Sequence, residues 1–190
     1  MAGRSDTRKD ILELAANLMM ERGYNGFSYK DIAGPLGIKN AAIHYYFPAK
    51  EDLGVALIDE FRESLRSRTI NFMVQGGDPD AQLEGYIQFV KVSLQSHFVC
   101  PVGILGVDFY TLPSQMKKHA HLFVEEMITW LTRILDLGRE EGVYEFSGSS
   151  RAKALAIKGC LQGAAQLSRV SGAELLDEVA DQLRRDLRWV

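Results

Sequence analysis

Apolar residues recur at intervals of three and four along almost the whole of this 190-residue chain. That interval places them on one face of an α-helix. Ile11, Leu14 and Leu18 show it near the N-terminus, and Ile134 and Leu137 show it in a longer segment. No stretch alternates apolar and polar residues as a half-buried strand does, and no internal repeat is visible. The sequence therefore predicts an all-α protein.

Glycine, proline and polar clusters divide this pattern into about nine helices with short connections. The spacing of Ser28 and Asp31 is a typical helix start, and Gly23 and Pro113 mark boundaries. The predicted helices cover residues 7–22, 28–36, 40–46, 48–73, 80–97, 104–110, 113–141, 151–170 and 173–188. Nine helices of this length predict a helical bundle.

The composition is that of a folded protein without a membrane span. Hydrophobic residues make up 46% of the chain, yet no apolar run reaches the ~18 residues that a membrane span needs. The N-terminus is polar, and two cysteines are too few for a disulfide framework. We therefore expect a cytoplasmic protein with no membrane partner.

Charge is distributed unevenly along the chain. Residues 1–50 hold seven basic and five acidic side chains, whereas the other 140 residues hold fifteen basic and twenty acidic ones. The net charge of −3 is thus the sum of a mildly basic N-terminal part and an acidic remainder. This asymmetry permits a DNA-binding head on an acidic body, although ordinary solvated surface also explains it.

The segment from Ser28 to Phe47 has the pattern of a helix-turn-helix. Two short helices with apolar residues at Ile32 and Ile43 are separated by Gly37, where a sharp turn needs a positive φ. In such a unit the second helix lies in the major groove of DNA, with its N-terminal residues at the base edges. The sequence therefore predicts a recognition helix that begins at Asn40.

Residue chemistry supports this prediction. Asn40 can pair with adenine, and the small Ala41 lets the helix approach thymine methyl groups. Hydroxyl, imidazole and ammonium groups suit phosphate oxygens. The full predicted set of DNA contacts is Ser28, Tyr29, Lys39, Asn40, Ala41, His44, Tyr45 and Lys50. Phe47 is expected in the core instead.

The stretch FSYKDIAGPLGIKNAAIHYYFPAKEDL, residues 27–53, closely resembles the TetR family of one-component transcription regulators. This resemblance implies a three-helix DNA-binding domain over residues 1–50 and a ligand-binding and dimerisation domain over residues 51–190. It also implies a homodimer that binds a near-palindromic operator. The expected function is a repressor that a small-molecule effector of unknown identity releases from DNA.

Some residues depart from the family pattern. Pro35 lies inside the second helix, where it removes a hydrogen bond and is expected to distort the helix. Lys39 stands where the family has a serine cap, so that Asn40 is expected to cap the recognition helix. Ala41 replaces a common glycine, and His44 replaces a common aromatic residue.

The resemblance implies a ligand cavity among the fifth to seventh helices. The candidate lining residues are Phe89, Ser93, His97, Cys100, Phe109, Tyr110, Phe123, Met127 and Trp130. Mostly apolar walls with a few polar groups are what a small-molecule site needs, and a filled core is the alternative reading. Cys100 next to Pro101 also allows a regulator that responds to electrophiles or oxidants, although a lone cysteine is more often a small buried residue.

The resemblance also implies that the last two helices form the dimer interface. Small residues on the first of them form a narrow stripe that lets another helix approach, although packing within the same bundle is the alternative. The predicted interface residues are Ala152, Ala156, Gly159, Gly163, Leu176, Val179 and Leu183. Two such patches would form a four-helix interface.

No enzyme is predicted, because the sequence lacks a phosphate-binding loop, a nucleophile motif and a recognisable carboxylate pair. No cofactor and no metal site are predicted either. A DNA-binding protein that acts without any ligand remains a further alternative.

Overall fold

The computed structural model of the protein describes residues 4–75, 77–95 and 100–187, and the side chains of residues 4–5 and 72–75 are not considered. Within these residues the chain forms nine α-helices and no β-sheet, which confirms the predicted all-α fold. The helices are α1 Arg4–Arg22, α2 Tyr29–Leu36, α3 Asn40–Tyr46, α4 Lys50–Gln75, α5 Pro79–Gln95, α6 Pro101–Asp108, α7 Ser114–Glu140, α8 Ser150–Ser171 and α9 Glu174–Leu187.

The second helix ends at Leu36, as predicted, and includes Pro35 near its end. One predicted boundary needs correction. The sixth helix begins at Pro101 rather than at Ile104, since proline is well suited to the first helical turn. The predicted last residues of the fifth and ninth helices lie outside the described residues.

The chain divides into two compact units. Unit 1 comprises Met1–Glu63 and Pro101–Phe123, and unit 2 comprises Ser64–Cys100 and Val124–Val190. Unit 1 thus joins two separate segments of sequence. The prediction of one domain over residues 1–50 and another over residues 51–190 remains a prediction.

The core of unit 1 lies where α1, α2 and α3 meet. Ile11, Ile32 and Ile43 are fully buried, one from each helix. They occupy the positions that the helical period assigns to the inward face. Helix α6 also packs on α1 and on the short 3₁₀ turn Tyr24–Gly26. Unit 1 therefore packs the helix-turn-helix on α1 and brings α6 against the same helix.

The core of unit 2 is formed by the packing of α8 on both α5 and α9. Its buried residues include Ile87 on α5, Leu161 on α8 and Ala180 on α9. At the end of α7, the backbone N–H groups of Val143 and Tyr144 both donate to the carbonyl of Gly138. Gly138 is required there, since a Cβ would overlap the Tyr144 ring.

Candidate functional site

The turn between α2 and α3 has the geometry that the sequence predicts. Gly37 adopts a left-handed conformation with φ of 64°, and its N–H donates to the carbonyl of Gly34 at 3.1 Å. The N–H of Ile38 donates to the carbonyl of Ala33 at the same distance. These two bonds end α2 and direct the chain into α3.

Helix α3 has one face in the core and one face at the surface. Ile43 and the following Phe47 are buried, as predicted for Phe47. The residues at the surface are Lys39, Ala41, His44 and Tyr45, while Asn40 is half-buried. Small, amide, cationic and hydroxyl groups therefore share one side of a short helix, an arrangement that suits base edges and phosphates.

The start of α3 corrects the expectation for Asn40. Lys39, not Asn40, is the N-cap, and no side chain caps the helix there. Asn40 is the first helical residue. Its side-chain amide therefore makes no capping hydrogen bond to its own helix.

Two residues of the predicted DNA-contact set support the turn internally. The hydroxyl of Tyr29 is buried and donates to the carbonyl of Phe47 at 2.8 Å. Burial is the main cause that raises the pKa of Tyr29 to about 12, with Asp52 adding to it. The hydroxyl and the N–H of Ser28 both donate to the Asp31 carboxylate, at 2.7 and 2.8 Å, and these bonds lower the pKa of Asp31. Tyr29 is thereby corrected to a structural role.

His44 is exposed and makes one bond within unit 1. Its Nδ1 lies 3.1 Å from the carbonyl oxygen of Pro48, which can only accept, so we assign the proton to Nδ1. The His44 ring also lies edge-on to Tyr29, with 4.8 Å between ring centres. The assigned tautomer leaves Nε2 as an acceptor, so a hydrogen bond from His44 to a phosphate requires the doubly protonated ring.

Lys50 bonds inside unit 1, and the phosphate contact predicted for it stays a prediction. Its Nζ donates to the carbonyls of Tyr24, at 2.6 Å, and of Phe27. The same atom lies 4.5 and 4.4 Å from the centres of those two rings. Burial lowers the pKa of Lys50, whereas Asp108 and Asp31 act in the opposite direction. Two of the three ammonium donors are thus used by backbone carbonyls.

Asp108, in the second segment of unit 1, supports the helix-turn-helix region through a contact that sequence reasoning missed. Its Oδ2 accepts the N–H of Tyr24 at 2.7 Å, across 84 residues of sequence. Beside it, the Asn25 amide donates to the Thr111 hydroxyl at 2.7 Å. Lys50 and Asp108 therefore bind the Tyr24 backbone through its two opposite groups. No local sequence pattern announces a contact of this range.

The predicted ligand-binding residues fall in different units. Phe89, Ser93, Cys100, Met127 and Trp130 belong to unit 2. Phe109, Tyr110 and Phe123 belong to unit 1, and His97 lies outside the described residues.

Within unit 2, several of these residues form an aromatic cluster around Tyr86. The Tyr86 ring meets Trp130 edge-on, with 5.5 Å between centres, and its hydroxyl lies 3.7 Å from Sδ of Met127. Phe89 lies instead under the guanidinium of Arg68, 4.1 Å from its ring centre.

The two small polar candidates of unit 2 both have partners. The hydroxyl of Ser93 donates to the carbonyl of Phe89 in its own helix. Sγ of Cys100 lies 3.4 Å from Nζ of Lys158. A regulator that responds to electrophiles or oxidants through Cys100 stays the alternative prediction.

The candidates in unit 1 do not form a lined cavity there. Tyr110 is 92% exposed and Phe109 is 39% exposed, so neither is enclosed within unit 1. Phe123 is buried and stacks on Phe61, with 6.5 Å between ring centres. The predicted role of these three residues in ligand binding stays a prediction.

The predicted interface residues divide between the surface and the core. The four small residues of the stripe on α8 are all exposed: Ala152, Ala156, Gly159 and Gly163. On α9, Leu176 and Leu183 are buried within the chain and offer no surface to a partner, and Val179 is half-buried. This corrects the two leucines, whose apolar stripe packs inside unit 2.

The described residues contain neither a candidate metal site nor a candidate membrane span. No group of three or more His, Cys, Asp or Glu side chains there is placed to hold a metal ion. None of the helices in that part of the chain has both the length and the apolar character to span a membrane.

Known proteins resemble this chain in sequence and in fold. The family model described as "Bacterial regulatory proteins, tetR family" matches residues 11–57. The HTH-type transcriptional repressor KstR2 of Rhodococcus jostii is 29% identical over 182 residues, which are 95% of this chain and 89% of that protein. The HTH-type transcriptional regulator LmrA of Bacillus subtilis is 28% identical over 156 residues, 78% of this chain and 77% of that protein.

Among solved structures, a TetR-family transcriptional regulator from Agrobacterium tumefaciens is 28% identical. It superposes with a TM-score of 0.93 and covers 98% of this chain and 100% of its own. The match extends over both units rather than over the helix-turn-helix alone.

Proposed function

Since this chain belongs to the TetR family of bacterial transcriptional regulators, we propose that it is a repressor that leaves its operator when a small molecule binds. The observation that carries the proposal is the surface of α3, where Asn40 and Ala41 lie next to Lys39, His44 and Tyr45 on a helix held by the Gly37 turn. Similarity to KstR2, which is named a transcriptional repressor, supports repression as the direction of control. A repressor that binds bacterial operator DNA acts in the cytoplasm, so we propose that location for this protein.

Specificity and affinity come from different residues in this proposal. Asn40 and Ala41 read base edges at the N-terminus of α3. Lys39 and Tyr45 bind phosphates, Lys39 supplies positive charge, and His44 joins them when both of its ring nitrogens carry a proton. Lys50 and Tyr29 contribute by holding α3 and its neighbouring turn in place, not by touching DNA.

The protein acts as a homodimer through the exposed face of α8. The small residues there continue into larger apolar ones, since Leu155, Leu167 and Val170 are 50%, 60% and 87% exposed. A Cβ built at Gly159 or Gly163 meets no atom within 4 Å, so a second helix has room to approach. An apolar face this open is suited to a copy of the same chain.

The effector binds in unit 2 beside Tyr86, Met127 and Trp130, whose rings and sulfur provide a mostly apolar wall. A ligand lowers DNA affinity only if it binds better to the form of the dimer that does not fit the operator. We therefore propose that the effector and the operator DNA bind preferentially to different arrangements of the same dimer.

The experiment that tests the proposal is selection of bound duplexes from a random DNA pool with the purified protein. We expect a near-palindromic site whose affinity falls linearly with the logarithm of salt concentration. Lys39→Met should reduce that slope by about one unit, because one phosphate contact is lost. Asn40→Ala should change the selected sequence.

Lys153→Met, on α8, is the matched control and should keep the parent's slope. Failure to enrich any sequence, or a duplex affinity that ignores salt, contradicts the proposal. A Lys39→Met slope equal to that of the parent removes α3 from the DNA contact.

A further inference from the structure

Lys158 carries a charge into the interior of unit 2. The side chain lies on α8, and the residue is only 9% exposed. Its Nζ donates to Oε1 of Gln162 at 2.8 Å and lies 3.4 Å from Sγ of Cys100. An amide oxygen is neutral and sulfur is a weak acceptor, so these partners satisfy the ammonium only in part.

No carboxylate accompanies this buried ammonium in the part of the chain that the structure describes. The side chains outside it include no Asp or Glu, since they belong to MAGRS, FMVQG, SHFV and RWV. Two other cations of the same unit do have carboxylate partners: Arg184 pairs with Glu84, and Lys91 pairs with Asp177. Lys158 is the most buried cation among the described residues of unit 2 and has no acidic partner there, which is an unfavourable arrangement for a charge.

Cys100 connects Lys158 to an aromatic cluster of unit 2. Cys100 interacts electrostatically with Tyr86, and Tyr86 in turn contacts Trp130 and Met127. Burial, with Cys100 as a smaller cause, raises the pKa of Tyr86, so its hydroxyl remains protonated at neutral pH. A positive group beside an aromatic wall fits a molecule with an anionic end and an apolar body.

We propose that Lys158 binds the negatively charged group of a small organic anion, and that the effector of this regulator belongs to that class. The anion supplies the opposite charge that Lys158 lacks among the described residues, while its apolar body packs beside Tyr86 and Trp130. This inference rests on the proposed function only where it identifies the anion as the effector that releases DNA. The binding site itself is independent of DNA.

Two fluorescent probes with one skeleton test the proposal. 8-Anilinonaphthalene-1-sulfonate is anionic, and N-phenyl-1-naphthylamine is the same molecule without the sulfonate. Lys158→Met should weaken binding of the sulfonate at least about tenfold, because a charge-assisted hydrogen bond is lost, and should change binding of the neutral probe less than about twofold. Lys153→Met, on the same helix, should bind both probes as the parent does.

Thermal unfolding separates a binding lysine from a structural one. Methionine of similar length removes the buried charge, so the melting temperature of Lys158→Met should equal or exceed that of the parent. A lower melting temperature together with equal loss of both probes shows a structural lysine and overturns the proposal. Sulfonate binding that is absent from the parent, or unchanged in Lys158→Met, overturns it too.

Duplex binding measured with and without the sulfonate separates the two proposals. Release of the selected duplex by the sulfonate from the parent, but not from Lys158→Met, supports both. Probe binding that depends on Lys158 in a protein that binds no duplex supports the anion site and contradicts the proposed function. Probe binding that depends on Lys158 but leaves duplex affinity unchanged overturns the assignment of the effector to this class.

Discussion

At the scale of single residues, Lys50 connects the two ends of the helix-turn-helix region. Its ammonium binds the carbonyls of Tyr24 and Phe27 and lies against both of their rings. The turn that follows α1 is therefore fixed by a residue at the start of α4. A lysine in this sequence position is equally suited to phosphate, and only the location of the two carbonyls decides between these roles.

Lys50→Met should destabilise the protein while leaving the salt dependence of DNA binding unchanged. Two carbonyls lose a charged donor, which we expect to cost about 1–3 kcal/mol in the free energy of unfolding. Urea unfolding followed by circular dichroism measures this cost. Lys39→Met is the matched control: its stability should stay within about 0.5 kcal/mol of the parent. If Lys50→Met instead has the stability of the parent and a reduced salt slope, Lys50 contacts a phosphate.

At the scale of the element, α8 is a helix with two apolar faces. Ala154, Ile157, Leu161 and Ala164 are buried in unit 2, while the stripe of small residues on the other side is exposed. Helix α9 has a single apolar stripe, and packing on α8 consumes it. Residue periodicity predicted both helices, but it could not tell which stripe a neighbouring helix within the chain would cover.

Gly163→Glu should convert the proposed dimer to a monomer of unchanged helical content. The added carboxylate has room in the single chain but would be buried without a partner between two copies of α8. Sedimentation equilibrium measures the assembly state. Gly106→Glu is the control, because that helical glycine is also exposed with open space around it. An unchanged dimer in Gly163→Glu would remove this face of α8 from the interface.

At the scale of the whole molecule, the sequence indicated local features and missed distant ones. The nine helices, the Gly37 turn and the buried Phe47 follow from short-range patterns of apolar residues and glycine. The bond between Asp108 and the Tyr24 N–H joins residues far apart in sequence, and Lys158 looks like any other surface lysine in its own helix. Burial and long-range contacts are properties of the assembled structure, so no local pattern encodes them.

The spacing between the two operator half-sites should affect affinity, because the two DNA-binding domains of a dimer bind together. Two recognition helices of a dimer reach successive major grooves when they lie about 34–36 Å apart. Inserting five base pairs between the selected half-sites turns one of them to the opposite side of the duplex. Fluorescence anisotropy should then show affinity reduced at least about a hundredfold, to that of a duplex with one half-site. Equal affinity for both spacings would mean that each head binds alone.

The two-segment composition of unit 1 also affects the order in which the protein is synthesised and the way in which its gene can be recombined. A ribosome delivers residues 1–63 before residues 64–100, and only afterwards the segment 101–123 that completes the unit. Lys50 reaches the Tyr24 backbone early in translation, whereas Asp108 arrives late. A single crossover after codon 63 would transplant the recognition helix but leave Asp108 and Thr111 behind. Exchange of intact DNA-reading heads between such genes therefore requires two crossover points.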